Sequence, residues 1–154
     1  VLMPEGSEFT IENPGSTTLN RVLIVEPCQD GFKPNTDMLV IDENKQPWNT
    51  GNPHWVGMSK PMFNSGNGLA TIPNIITVQF EPMTMFQPHS HSEGLEEIWT
   101  AVSGELYFLL DKQIRKQPSG TAYYICPDGE TPHANFNVSD ERGKLLYFSR
   151  FPGR

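Results

Sequence analysis

Four residues in the second half of this 154-residue chain have the types and spacing to hold a metal ion. His89-Ser90-His91 sets two imidazoles at i and i+2, and residues so spaced on a strand project from one face, so both rings can reach one point beside a sheet. Six positions later Glu97 opens a run in which Glu97, Trp99 and Ala101 alternate with Ile98 and Thr100. A register shift of one residue would present Glu96 in its place. His133 stands in a third segment, after the turn Pro127-Asp128-Gly129. Together these make a four-ligand site with room for water or substrate, suited to one divalent transition metal: Fe, Mn, Ni, Zn, Co or Cu. Taken singly, each residue also has an ordinary reading: a solvated histidine pair, a strand end in the acidic run with Glu93 and Glu96, a buried imidazole bonded to a carbonyl.

Around these ligands the face of His89 and His91 should also carry Met85 and Gln87, and Trp99, Tyr107, Phe108, Tyr123, Tyr124 and Phe136 are available to line an interior. Gln87, Trp99 and Phe136 are the expected substrate contacts. Glu96, Tyr107, Tyr123 and His54 are the acid–base candidates, none standing out from the rest. His54 falls in Asn-Pro-His-Trp, expected to be a loop; it is read as non-ligating, and as a lid residue it could touch substrate.

The elements that must position these groups are strands. Apolar and polar residues alternate near 20–26, 38–42, 75–86, 97–102, 105–111, 121–125 and 144–150, mostly bounded by Gly, Pro, Asn or Asp. Ser103-Gly104 between two such runs predicts a tight hairpin. No amphipathic stretch of ten or more residues reads as a helix. Residues 1–50 are expected to form an N-terminal β segment, 51–73 a loop or linker, and 74–154 a compact β unit.

Composition narrows the function. With 36% hydrophobic residues, 13 Gly and 14 Pro, turns take a large share of the chain and a helical bundle is excluded. A net charge of −7 with no basic cluster argues against nucleic acid, and no apolar run approaches the length needed to span a bilayer. The expectation is a soluble protein whose compartment stays open, the cytoplasm being favoured. No Lys or Arg occurs between Lys60 and Lys112, so a neutral, hydroxylated or carbonyl substrate fits better than a phosphate. Cys28 and Cys126 are too few for a disulfide framework and are left paired or free.

Residues 83 to 137 resemble a cupin. His89-Ser90-His91, Glu97 and Gly104 follow the order of that family's first motif, and Gly120, Pro127-Asp128-Gly129, His133 and Asn137 that of its second. Three departures stand out: Met83 where a glycine is usual, five residues rather than three or four between His91 and Glu97, and extra residues in the second motif. The resemblance implies an all-β double-stranded β-helix, a jelly-roll barrel with an N-terminal β extension, with His89, His91, Glu97 and His133 on the metal, and a homodimer. Pro4-Glu5-Gly6, Phe9 and Asn13 with the run 21–26 resemble the tail of a preceding cupin unit, Phe9 standing where its metal histidine would be. An ordinary N-terminal hairpin is the alternative. The expected function is a metal-dependent isomerase, epimerase or lyase acting on an oxygenated, sugar-like small molecule. The alternatives are a metal-dependent dioxygenase and a non-catalytic metal- or sugar-binding or assembly barrel.

Overall fold

The computed structural model describes residues 1–152 apart from 19–21, 28, 29, 34, 52, 53, 55 and 56. Among the described residues eight strands follow in order: β1 (Met58–Asn64), β2 (Asn74–Phe80), β3 (Glu96–Ser103), β4 (Leu106–Leu110), β5 (Gln113–Gln117), β6 (Ala122–Ile125), β7 (His133–Asn137) and β8 (Gly143–Arg150). They form a five-stranded sheet, β1-β2-β8-β3-β6, and a three-stranded sheet, β5-β4-β7. Every ladder is antiparallel. The result is the expected jelly-roll architecture.

Alternation explains the inner face. On β3 Glu97, Trp99 and Ala101 point inward, and on β8 Leu145, Tyr147 and Ser149 do, all six buried. Trp99, Ala101, Leu145 and Tyr147 form one cluster between the sheets with Phe80, Phe86, Leu106 and Ile125. Full burial of an aromatic or aliphatic side chain stabilises by roughly 1.5–3 kcal/mol, so this cluster is the main source of stability.

The segment after β2 positions the histidines. The amide of Phe86 donates to the Asn135 carbonyl at 2.9 Å, and His89 and His133 exchange backbone bonds of 3.0 and 2.8 Å. Residues 84–89 therefore run beside β7 as an irregular fourth member of the smaller sheet. Two residues separate Phe86 from His89 where one separates their partners Asn135 and His133, so the extra residue makes a bulge at Gln87–Pro88.

Several expectations need correction. The run expected over 75–86 ends at Phe80, because Pro82 and Met83 form a turn in which Met83 has φ +57°. That left-handed backbone is where the resemblance leads one to expect glycine, and a side chain there is strained. Ser103-Gly104 is no hairpin: β3 pairs with β6 and β8, β4 with β5 and β7, so the chain changes sheets there. Gly104 has φ +86° and a Cβ on it would lie 2.6 Å from Gly143 Cα, so only glycine fits this corner. The expected loop 51–73 contains β1, an edge strand that extends the larger sheet.

Residues 22–26 and 38–42 carry strand-like composition but form no ladder; the contact there is a bridge between Leu2 and Leu39, and 19–21 lie outside the described residues. These segments cover the outer face of the larger sheet, where Ile24, Leu39 and Ile41 pack against Phe63, Leu69 and Ile72. Two carboxylates fasten the cover. Glu26 accepts the amides of Ala70, Thr71 and Ile72 at 2.8, 2.5 and 2.9 Å, and Glu43 accepts from Lys144 and Thr77. Cys126 is an exposed free thiol, whereas Cys28 lies outside the described residues. No helix among the described residues is long and apolar enough to cross a membrane.

Candidate metal centre

His89, His91 and His133 converge. One nitrogen from each lies within 4.8 Å of the others, and ligands about 2.1 Å from a shared ion stand at most about 4.2 Å apart, so small ring adjustments would close the set. The bulge at Gln87–Pro88 and the exchanged backbone bonds bring the rings of His89 and His133 to a centroid separation of 4.3 Å. His89 Nδ1 sits 2.9 Å from the Gln87 carbonyl, and since a carbonyl only accepts, Nδ1 carries the hydrogen and Nε2 presents its lone pair to the cluster. Holding the remote nitrogen in this way is the arrangement that orients ligating histidines.

Glu97 supplies the charge. Its carboxylate is 1% exposed. Oε1 accepts from the Tyr147 hydroxyl at 2.7 Å and stands 2.9 Å from His91 Nε2; Oε2 accepts from the Trp99 indole at 3.0 Å and stands 3.2 Å from His133 Nε2. The imidazole nitrogens are near the carboxylate without being aligned on it as hydrogen bonds, and His89 Nε2 and both His133 nitrogens are likewise buried without a hydrogen-bond partner. Among the described residues no Lys or Arg forms an ion pair with Glu97. Burial pushes this carboxyl up, but the neighbouring imidazoles of His133 and His91 and the Trp99 indole outweigh it and hold it well below the usual carboxylate range. Burial, and then the other imidazoles, pull His89 down to about 4.

A buried carboxylate that no Lys or Arg among the described residues pairs with is costly unless a cation joins it. Three convergent nitrogens and one anionic oxygen are the donor set of a divalent transition metal, so the residues present fit that group.

The remaining expected site residues divide. His54 reaches the cluster: its ring stacks on Phe86 at 4.7 Å and lies 4.4 Å from that of His89. Gln87 flanks it through the carbonyl that holds His89. Trp99 is buried, donating to Glu97 in place of the expected substrate contact. Tyr123 faces the interior, but its hydroxyl donates to Asn135 at 2.7 Å, and burial raises it well above the usual value.

Four residues are turned away from the centre. Glu96 occupies the outer face of β3, bonded to Arg150 and to the Tyr124 hydroxyl, because its neighbour Glu97 takes the inward position. Tyr107 and Phe136 pair across β4 and β7 on the outer face of the smaller sheet, the Tyr107 hydroxyl donating to Glu105. Met85 is on that face too, bridged to Phe136 beside an outer cavity of about 410 Å³. The expectation that Met85 shares a face with His89 fails because the bulge reverses the parity between them, which puts Phe86 inside instead. Sequence reasoning missed Tyr147 and Phe86. Tyr147 was within reach, lying on the inward alternation of β8 opposite Trp99.

No family model and no curated protein matches the chain in sequence. Solved structures do match. A predicted oxalate decarboxylase from Thermotoga maritima superposes with a TM-score of 0.66 at 14% identity, over 73% of this chain and 99% of that one. The polyketide cyclase RemF from Streptomyces resistomycificus gives 0.63 at 14%, over 74% and 80%. A sugar phosphate isomerase of the cupin superfamily from Silicibacter pomeroyi gives 0.59 at 15%, over 73% and 75%. With two sheets in jelly-roll order and the residues of both motifs converging inside them, this chain has the cupin fold.

Proposed function

We propose that the chain is a metal-dependent small-molecule enzyme, in which His89, His91, Glu97 and His133 hold one divalent transition metal and the reaction is an isomerisation, epimerisation or lyase step on an oxygenated, sugar-like substrate. The observation that carries this reading is Glu97, a buried carboxylate set between two imidazoles and two neutral donors, with no Lys or Arg among the described residues paired to it. The metal, when bound, supplies Lewis-acid polarisation of a carbonyl or hydroxyl oxygen. The protein does the rest. Tyr147 and Trp99 fix the carboxylate, the Gln87 carbonyl fixes the His89 tautomer, and the packed aromatics Phe86, Trp99 and Tyr147 exclude water from below.

Fold neighbours described as a decarboxylase, a cyclase and a sugar phosphate isomerase support cupin enzyme chemistry without choosing among reactions. The absence of Lys and Arg between Lys60 and Lys112 supports a substrate without phosphate. A homodimer, implied by the resemblance, belongs to the same proposal and is read by light scattering. The filled barrel interior favours one second reading, a barrel that holds the ion without catalysis.

The test is metal content of tag-free protein by mass spectrometry, beside His89→Ala and His133→Ala. The expected result is about one metal per chain in the parent and near none in either variant. No metal in the parent, even after loading with Fe, Mn, Ni, Cu and Zn, would overturn the proposal.

A further inference from the structure

The segment read from sequence as a linker delivers an imidazole to the metal centre. His54 closes a turn in which the Gly57 amide donates to the His54 carbonyl at 3.0 Å, immediately before β1 begins at Met58. The turn lies directly on the barrel mouth: a Cβ built on Gly57 would stand 1.7 Å from Phe86 Cε1, a contact that only glycine allows. β1 is pinned to β2 by its ladder, and Asn49 and Ser59 exchange backbone bonds of 2.7 and 3.2 Å. His54 is stacked over Phe86, half-buried, 4.4 Å from the ring of His89 and outside the cluster formed by the three convergent histidines.

From this placement we infer that His54 is a substrate-contacting residue, hydrogen-bonding the second oxygen of a molecule that carries oxygens on two adjacent carbons, an α-hydroxy carbonyl compound or a vicinal diol, whose first oxygen is at the metal. The inference rests on the metal-centre reading above and extends it to a substrate class. Vicinal oxygens lie about one hydrogen-bond length apart, so a molecule seated with one oxygen among His89, His91 and Glu97 brings the other toward the neighbouring His54 ring. A Lys or Arg in this place would select an anion; an imidazole selects a neutral hydroxyl or carbonyl.

The test uses Co(II)-loaded full chain, with hydroxyacetone as the neutral probe, read by the cobalt absorption spectrum. His54→Ala is expected to keep the metal stoichiometry of the parent and to weaken hydroxyacetone binding by about tenfold, the worth of one hydrogen bond, with His54→Gln recovering part of the loss. Acetone, which lacks the hydroxyl on the adjacent carbon, should bind parent and His54→Ala equally. Equal hydroxyacetone affinity in parent and His54→Ala, with metal bound in both, would overturn the inference and leave the metal centre standing. Loss of metal from His54→Ala would overturn it too, making His54 a ligand. A parent that takes up no cobalt would instead count against the metal-centre reading itself.

Discussion

Glu96 and Glu97 are chain neighbours on β3 in opposite circumstances. Glu96 faces outward, where Arg150 and the Tyr124 hydroxyl meet it and water has access. Glu97 faces inward, where its partners are two neutral donors and two imidazoles. The outer face of the larger sheet repeats the first pattern, with Glu43 matched by Lys144 and Glu26 by three backbone amides. The difference teaches that the outer carboxylates fasten elements together, while the inner one is buried among the convergent histidines, where its removal from water carries a cost in stability.

The widest gap between the two regions should appear in pH. His89 is held at about 4 by burial and the neighbouring imidazoles, against 6.5 in an open chain. Below 6.5 the unfolded chain takes a proton that the folded one refuses, so in metal-free protein stability is intact above pH 6.5 and falls as pH drops toward 4, by at most about 3 kcal/mol. Glu26 behaves differently: burial raises it, but the amides of Ala70, Thr71 and Ile72 and the Thr71 hydroxyl hold it below the usual value, so its contribution persists above 4.5 and is lost only under more acid conditions. Urea midpoints across pH for the parent and His89→Asn would separate the windows. A parent curve flat between pH 6.5 and 4 would break the contrast.

A paired substitution comes next in size. Tyr147→Phe removes a donor from Glu97, with an expected loss of about 1.5–3 kcal/mol of stability and about 10–100-fold in metal affinity. Tyr124→Phe makes the same chemical change on Glu96, where water replaces the hydroxyl, and should stay within about 0.5 kcal/mol with metal affinity unchanged. Chemical denaturation and competitive metal titration measure both. Equal effects would mean that the inner carboxylate is no more dependent on its donors than the outer one.

The smallest effect concerns the outer approach to the site. Met83→Gly relieves a left-handed backbone, and after allowance for the extra freedom of glycine in the unfolded chain stability should rise by about 0.5–1 kcal/mol. Metal affinity should not move. A drop in affinity would show that the strained turn helps set the register of the histidines.

The legible parts of the molecule were those where burial imposes alternation. β3 and β8 announce themselves through inward Trp99, Ala101, Leu145 and Tyr147, while Glu97 over Glu96 hung on the register and came with the family resemblance. β7 escaped because its inward positions are His133, Asn135 and Asn137, polar groups bound for the site and its network, which erase the apolar period. β5 is an edge strand whose residues are almost all exposed, and β1 carries Lys60 and Pro61, so neither reads as a buried face. The spacing pointed to the histidine pair and the family motifs to the full set, yet the wall beside them was not found, because one extra residue at Gln87–Pro88 inverts every orientation before it. Residues 22–26 and 38–42 misled in the opposite sense, since their apolar content serves to cover a sheet without joining it.

The mutual backbone bonds of His89 and His133 join positions 44 residues apart. Their two amide hydrogens are therefore a matched pair, shielded or released by the same opening of the barrel mouth. An ion gripping both side chains would tie that opening shut, slowing hydrogen exchange at both amides together. The barrel thus carries its own gauge of occupancy in two backbone protons.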